Sequence, residues 1–227
     1  MDERLYNKTI KCPVCGNSFD ATKIKAKTAK VVSRDSDFCV YYEDINPIFY
    51  DVYVCEFCGY ASLADKFDDI SERDRAILRD QLAPKWTKRS FAGERTADSA
   101  IEAFKLALYN LQIRKAKDSE LSKVCIRIAW LYRLKNDPRE NDFLKFALRC
   151  YSEAYQREDL TSDKLDETTC MYMIAELNRR LGNIAEAARW FSRIMSSPEA
   201  RKNAVILEKA REQYQLVKDA SKEHGSA

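Results

Sequence analysis

Cys12-Pro13-Val14-Cys15-Gly16 and Cys55-Glu56-Phe57-Cys58-Gly59 set down the same five-residue pattern twice near the start of the chain. A two-residue spacer lets a tight turn aim both sulfurs at one ion, and the trailing glycine tolerates the positive φ that turns backbone N–H groups toward the thiolates. Two such turns supply four soft ligands, the complement of a closed tetrahedral site. Cys12, Cys15, Cys55 and Cys58 are therefore the expected ligands of one structural metal ion. Zinc is the commoner occupant of such sites, with iron in a rubredoxin-like site as the alternative. A redox disulfide at either pair would want a βαβ context, and the surrounding pattern lacks one.

Between the two pairs the chain has a β-like period. Thr22 to Lys27 alternates Thr22, Ile24 and Ala26 with Lys23, Lys25 and Lys27, which predicts a half-exposed strand. Phe38 to Glu43 and Phe49 to Cys55 are aromatic and β-branched runs on either side of Asn46-Pro47. They predict a hairpin that delivers the second cysteine pair to the first. The aromatics Phe38, Tyr41, Tyr42, Phe49, Tyr50, Tyr53, Phe57 and Tyr60 have two readings. With Lys23, Lys25, Lys27, Lys30 and Arg34 they would make a stacking surface for single-stranded nucleic acid. Alternatively they are the core of a small ribbon, which the interspersed Asp35, Asp37, Glu43, Asp44 and Asp51 favour because acids repel phosphate. Cys39, a fifth nearby thiol, reads as a small buried strand residue.

The bulk numbers narrow the class. A chain of 227 residues with 45% apolar residues is long enough for one large core or two modest ones. No apolar run is long enough to span a bilayer, and Met1-Asp2-Glu3-Arg4 lacks the apolar segment of a signal peptide. The expectation is a cytoplasmic protein, where cysteines at short spacing are metal ligands or redox groups rather than disulfides. Net charge is only +3, which speaks against a dedicated polyanion binder. Residues 1–70 carry nine basic and twelve acidic side chains of chain totals of 39 and 36, so the basic excess lies in the remainder. None of the five glycines is free to build a phosphate-cradling loop.

From Ser71 onward the period is helical. Ser71-Glu72-Arg73-Asp74 predicts a helix start, and Ala97 to Lys115 predicts a long amphipathic helix with Ala100, Ile101, Phe104, Ala107, Leu108 and Leu111 on one face. Further helices follow around 121–132, 143–154, 165–181, 184–195 and 206–217, with Pro84, Pro138 and Pro198 as interruptions. Ala187-x3-Phe191, Ala147-x3-Tyr151 and Ala100-x3-Phe104 repeat a small–aromatic spacing. Ile174-Ala175 and Ile128-Ala129 precede the first two, and residues 171–198 resemble a tetratricopeptide repeat. The alanines recur at wider intervals than the usual roughly 34 residues. Cys125, Cys150 and Cys170 fall in apolar stripes, and Trp86, Trp130 and Trp190 read as packing residues. With His224 the single histidine, no catalytic constellation is evident.

The fold class expected is α+β, mainly α: a zinc-ribbon-like β domain over residues 1–70, tetratricopeptide-like helical repeats over 71–221, and a disordered tail over 222–227. The motifs Cys12-Pro13-Val14-Cys15-Gly16, Arg34-Asp35-Ser36-Asp37-Phe38-Cys39, Ile45-Asn46-Pro47-x-x-Tyr50-Asp51-Val52 and Cys55-x-x-Cys58-Gly59-Tyr60-Ala61 resemble the bacterial "domain of unknown function 2225" family. The resemblance is specific over about residues 5–70 and looser beyond. It implies a cytosolic bacterial protein with a four-cysteine metal site and a repeat-like helical part, brings no activity with it, and places Cys39 inside a family motif. The functional expectation is a non-enzymatic zinc-binding adaptor for a protein or peptide partner, with no membrane association. Nucleic-acid binding through the ribbon, or iron redox chemistry, are the alternatives.

Overall fold

A computed structural model describes residues 2–160 and 165–224. Among them, six short strands precede seven helices, so the fold is α+β and mainly α, as the two periodicities predict. Strand β1 (Leu5–Lys11) pairs antiparallel with β2 (Ser18–Ile24) in the register Leu5↔Ile24 to Lys11↔Ser18. Strand β3 (Val31–Arg34) pairs with β4 (Val40–Tyr42), and β5 (Val52–Val54) pairs with β6 (Ala61–Leu63).

The expected hairpin across Asn46-Pro47 does not form. Asn46 instead accepts a hydrogen bond from Ile48 N (3.1 Å) and starts a 3-10 turn, Pro47–Tyr50. The strands on either side then take other partners, because each cysteine turn closes a hairpin of its own. The strand expected over Thr22–Lys27 is displaced as well. It ends at Ile24, and Lys27 takes a left-handed φ of 65°, which breaks the extended run. Thr22 faces inward: its hydroxyl donates to Asn7 Oδ1 (2.7 Å) and accepts from Gly93 N (2.6 Å).

The helices follow their sequence signals closely. Ser71 caps α1 (Glu72–Gln81) by accepting from Asp74 N, and Thr96 and Ser99 form a reciprocal capping box on α2 (Ala97–Ile113). Then come α3 (Asp118–Leu134), α4 (Glu140–Arg157), α5 (Glu167–Arg180), α6 (Ile184–Ser196) and α7 (Ala204–His224). Gly182, at φ 79°, turns the chain between α5 and α6. Helix α7 includes positions 222–224 of the expected tail, and 225–227 lie outside the described residues.

The chain forms two compact units. One contains Met1–Ser33, Val40–Ala116 and Arg127–Glu140; the other contains Arg34–Cys39, Lys117–Ile126 and Asn141–Ala227. In the first, α2 packs on β5 and β6, where buried Asn110 accepts from Ala61 N (3.2 Å) and donates to Gly59 O (3.4 Å). A helix so tied to a hairpin belongs to the same core. In the second, α5 is buried nearly all round, as a helix enclosed by neighbours must be, and packs against α6 and α7. The small and aromatic positions Ala147, Tyr151, Ala187 and Phe191 are all buried there.

Candidate metal centre

The two cysteine turns are copies of each other in backbone as well as in sequence. In the first, Gly16 N donates to Cys12 O (2.9 Å) and Cys12 N to Asn17 O (2.9 Å). In the second, Gly59 N donates to Cys55 O (2.9 Å) and Cys55 N to Tyr60 O (2.8 Å). Gly16 and Gly59 have φ of 78° and 75°, the left-handed geometry that a Cβ opposes. Residues 12–17 connect β1 to β2, and residues 55–60 connect β5 to β6.

These turns bring all four predicted ligands together. The sulfurs of Cys12, Cys15, Cys55 and Cys58 lie within 4.8 Å of one another. Cys12 Sγ is 3.7 Å from Cys58 Sγ, and Cys15 Sγ is 3.6 Å from Cys55 Sγ. A tetrahedral ion with metal–sulfur bonds of about 2.3 Å sets its sulfurs about 3.8 Å apart. The cluster therefore fits a four-thiolate metal ion in donor chemistry and in spacing. Cys12, Cys55 and Cys58 are buried in the ribbon core with Val14, Phe19, Tyr53, Tyr60 and Phe67, and Cys15 is half-buried.

The electrostatics point the same way. Thiol hydrogen bonds from Cys12, then Cys58, hold Cys55 down to about 2. The hydrogen bond with Cys55 pushes Cys12 up to about 12, and the one with Cys12 pushes Cys58 far up. One negative charge is thus accommodated by its neighbours' S–H groups, and further ones meet like-charge repulsion. A divalent cation removes that conflict. Backbone N–H groups of Cys15, Phe57, Cys58 and Tyr60 and the side-chain amide of Asn17 (3.4 Å to Cys15 Sγ) support the sulfurs.

Trp86 distinguishes the two turns. Its indole N–H donates to Glu56 O (2.8 Å), and its ring lies on Gly59, where an added Cβ would come within 2.5 Å of Cε3. Around Gly16 the same Cβ would meet nothing within 4 Å. Gly16→Ala should cost about 1–2 kcal/mol for the left-handed backbone alone. Gly59→Ala should cost about 2–5 kcal/mol because the ring must also move. Urea unfolding of the two metal-loaded variants measures the difference; equal costs would show that Trp86 yields freely.

Two polar groups, Arg95 and Glu176, position these elements from outside the sequence motifs. Arg95, 7% exposed, donates to the carbonyls of Phe91 (3.1 Å), Phe49 (3.0 Å) and Val52 (2.9 Å) and pins the chain ahead of α2 to β5. In the second unit, the family-like segment Arg34–Cys39 meets α5 through buried charge. Glu176, fully buried between Ala175 and Leu177, accepts from Ser36 Oγ (2.5 Å), Arg179 Nε (2.8 Å) and Arg180 Nε (2.9 Å). Arg180 also pairs with Asp37 (3.3 Å) and Asp35 (3.5 Å), and Tyr172 Oη donates to Ser36 O (2.9 Å). Cys39 is buried in this segment rather than in a strand, and its carbonyl accepts from Asp35 N. The aromatics divide: Tyr50, Tyr53 and Tyr60 are core, whereas Phe57 is 37% exposed.

Fold and site together define a protein with a four-cysteine, metal-type cluster on paired β-hairpins and a mainly helical remainder. The chain belongs to the family described as "Uncharacterized protein conserved in bacteria (DUF2225)", whose model matches residues 5–217. No curated protein and no solved structure matches it. Among the described residues, no helix is long and apolar enough to cross a membrane.

Proposed function

We propose that Cys12, Cys15, Cys55 and Cys58 hold one structural zinc ion. In this reading the chain is a non-enzymatic adaptor, working in the bacterial cytoplasm, whose helices offer a surface to a protein or peptide partner. The zinc part is supported by the closed set of four thiols at tetrahedral spacing, with no position left for substrate.

The observation that carries the adaptor part is the packing of α5, α6 and α7. Ala187, Phe191 and Ile194 seal one face of α6, and Ile206, Ala210 and Val217 seal one face of α7. Val205 and Leu216 on α7 stay 64% and 54% exposed. Stacked helices with one face committed to packing and another facing out are how repeat proteins present partner surfaces.

Crosslinked co-purification from the native cytosol, with nuclease treatment, tests the reading on the wild type and on a Val205→Glu/Leu216→Glu variant. The expected result is colourless protein with one zinc per chain and a protein partner that survives nuclease but is lost with the variant. Visible colour with bound iron would overturn the zinc assignment. A partner that vanishes with nuclease, or that the variant retains in full, would overturn the adaptor.

A further inference from the structure

Between Gln81 and Gly93 the chain carries Lys85, Lys88 and Arg89 and no acid, interleaved with Trp86 and Phe91. This segment is a strap across the ribbon. Trp86 Nε1 and Arg89 N both donate to Glu56 O in the second cysteine turn (2.8 and 3.3 Å), and Gly93 N donates to Thr22 Oγ1 on β2 (2.6 Å). The side chains form one continuous array. Lys88 Nζ lies 4.3 Å over the Phe57 ring, and the Arg89 guanidinium lies 5.1 Å from both the Trp86 and Phe91 rings.

We propose that this array, Phe57, Trp86, Lys88, Arg89 and Phe91, binds single-stranded nucleic acid, its cations taking phosphates and its rings taking stacked bases. The proposal goes beyond the adaptor reading and rests on other residues. Two local costs oppose it. Lys88 would leave half-buried Glu56 (3.6 Å), a long contact made by an exposed ammonium, and Arg89 would leave Glu102 (2.6 Å), an exposed ion pair of the kind that is readily exchanged. They would also leave the ring faces, each such contact being worth roughly 2–5-fold at exposed sites. Stacking one base on an aromatic ring is worth roughly 5–150-fold, so the exchange favours the bound strand. The charge pattern alone would suit an acidic peptide, but three rings within reach of two cations suit bases.

Fluorescence anisotropy of the metal-loaded full chain, with labelled dodecauridylate, dodecathymidylate and an oligoglutamate peptide of equal charge, tests this between 50 and 200 mM salt. Both oligonucleotides should bind, weakening as salt rises. Lys88→Gln/Arg89→Gln should weaken binding at least about 10-fold and reduce the salt slope by about 1.4, the release of two phosphate contacts. Phe57→Ala should weaken binding about 5-fold or more with the slope unchanged. Metal content confirms that each variant keeps its site. Absence of oligonucleotide binding at 50 mM salt would overturn the proposal. So would oligoglutamate binding as tightly as the nucleic acids, or binding that both variants leave unaltered.

Discussion

Cys55→Ser, or stripping of the metal by a chelator, is expected to unfold the ribbon rather than merely empty its centre. Each paired sheet has two strands, and β5 and β6 are three residues long. Isolated two-stranded hairpins are marginal in water. The core above them is built around Cys12, Cys55 and Cys58 themselves, so an ion held by these sulfurs would be part of the packing. A structural four-thiolate site contributes on the order of 10 kcal/mol to folding, more than the hairpins supply. Hydrogen exchange reads the result: amides of Gly16 and Gly59, protected by the carbonyls of Cys12 and Cys55, should lose protection on chelation. Acid should act in the same direction. The metal binds thiolates, so protons compete with it, and affinity falls as pH falls. Protection unchanged in protein shown to be metal-free would refute this account.

The cysteine site was legible because its information is local: spacing, trailing glycine and turn are contained in five residues. The helix start at Ser71 is local in the same way. Strand pairing was not. Asn46-Pro47 is a good hairpin turn by composition, yet the run after it pairs with β6 because the Cys55–Tyr60 turn already closes that hairpin. Choosing between two admissible turns depends on which one joins the four-cysteine cluster, a contact between distant parts of the chain. Asn110 and Arg95 were illegible for a related reason. Their partners are backbone carbonyls and amides, which every sequence possesses. Glu176 gave one signal, a carboxylate inside the apolar run Cys170–Leu177, but an acid three and four residues before arginines reads equally well as an exposed helix pair.

Glu176→Ala is expected to be among the most damaging single changes in the second unit. The carboxylate has no exposed surface and joins Ser36 Oγ, Arg179 and Arg180, whose side chains are 25% and 19% exposed. Forming such a cluster gains little net stability, because desolvation consumes most of the attraction. Removing its centre is a different matter: two half-buried guanidinium groups and a hydroxyl lose their shared acceptor, at a cost of about 3–5 kcal/mol. Glu176→Gln keeps an acceptor oxygen and the side-chain volume, and should lose less, about 1–3 kcal/mol. The segment Arg34–Cys39 should feel the loss first. Phe38 there has φ 71°, a conformation costly for a bulky side chain, and holds it against Tyr172 at 5.5 Å between ring centres. Asp35 and Asp37 still bind Arg180 in the variant, so the segment should loosen rather than detach. Urea unfolding gives the stability loss, and exchange at Phe38 N, bonded to Asp35 O, reports the local opening. An alanine variant within about 1 kcal/mol of wild type, with Phe38 still protected, would show that Glu176 is a solvated pair and not the centre of this cluster.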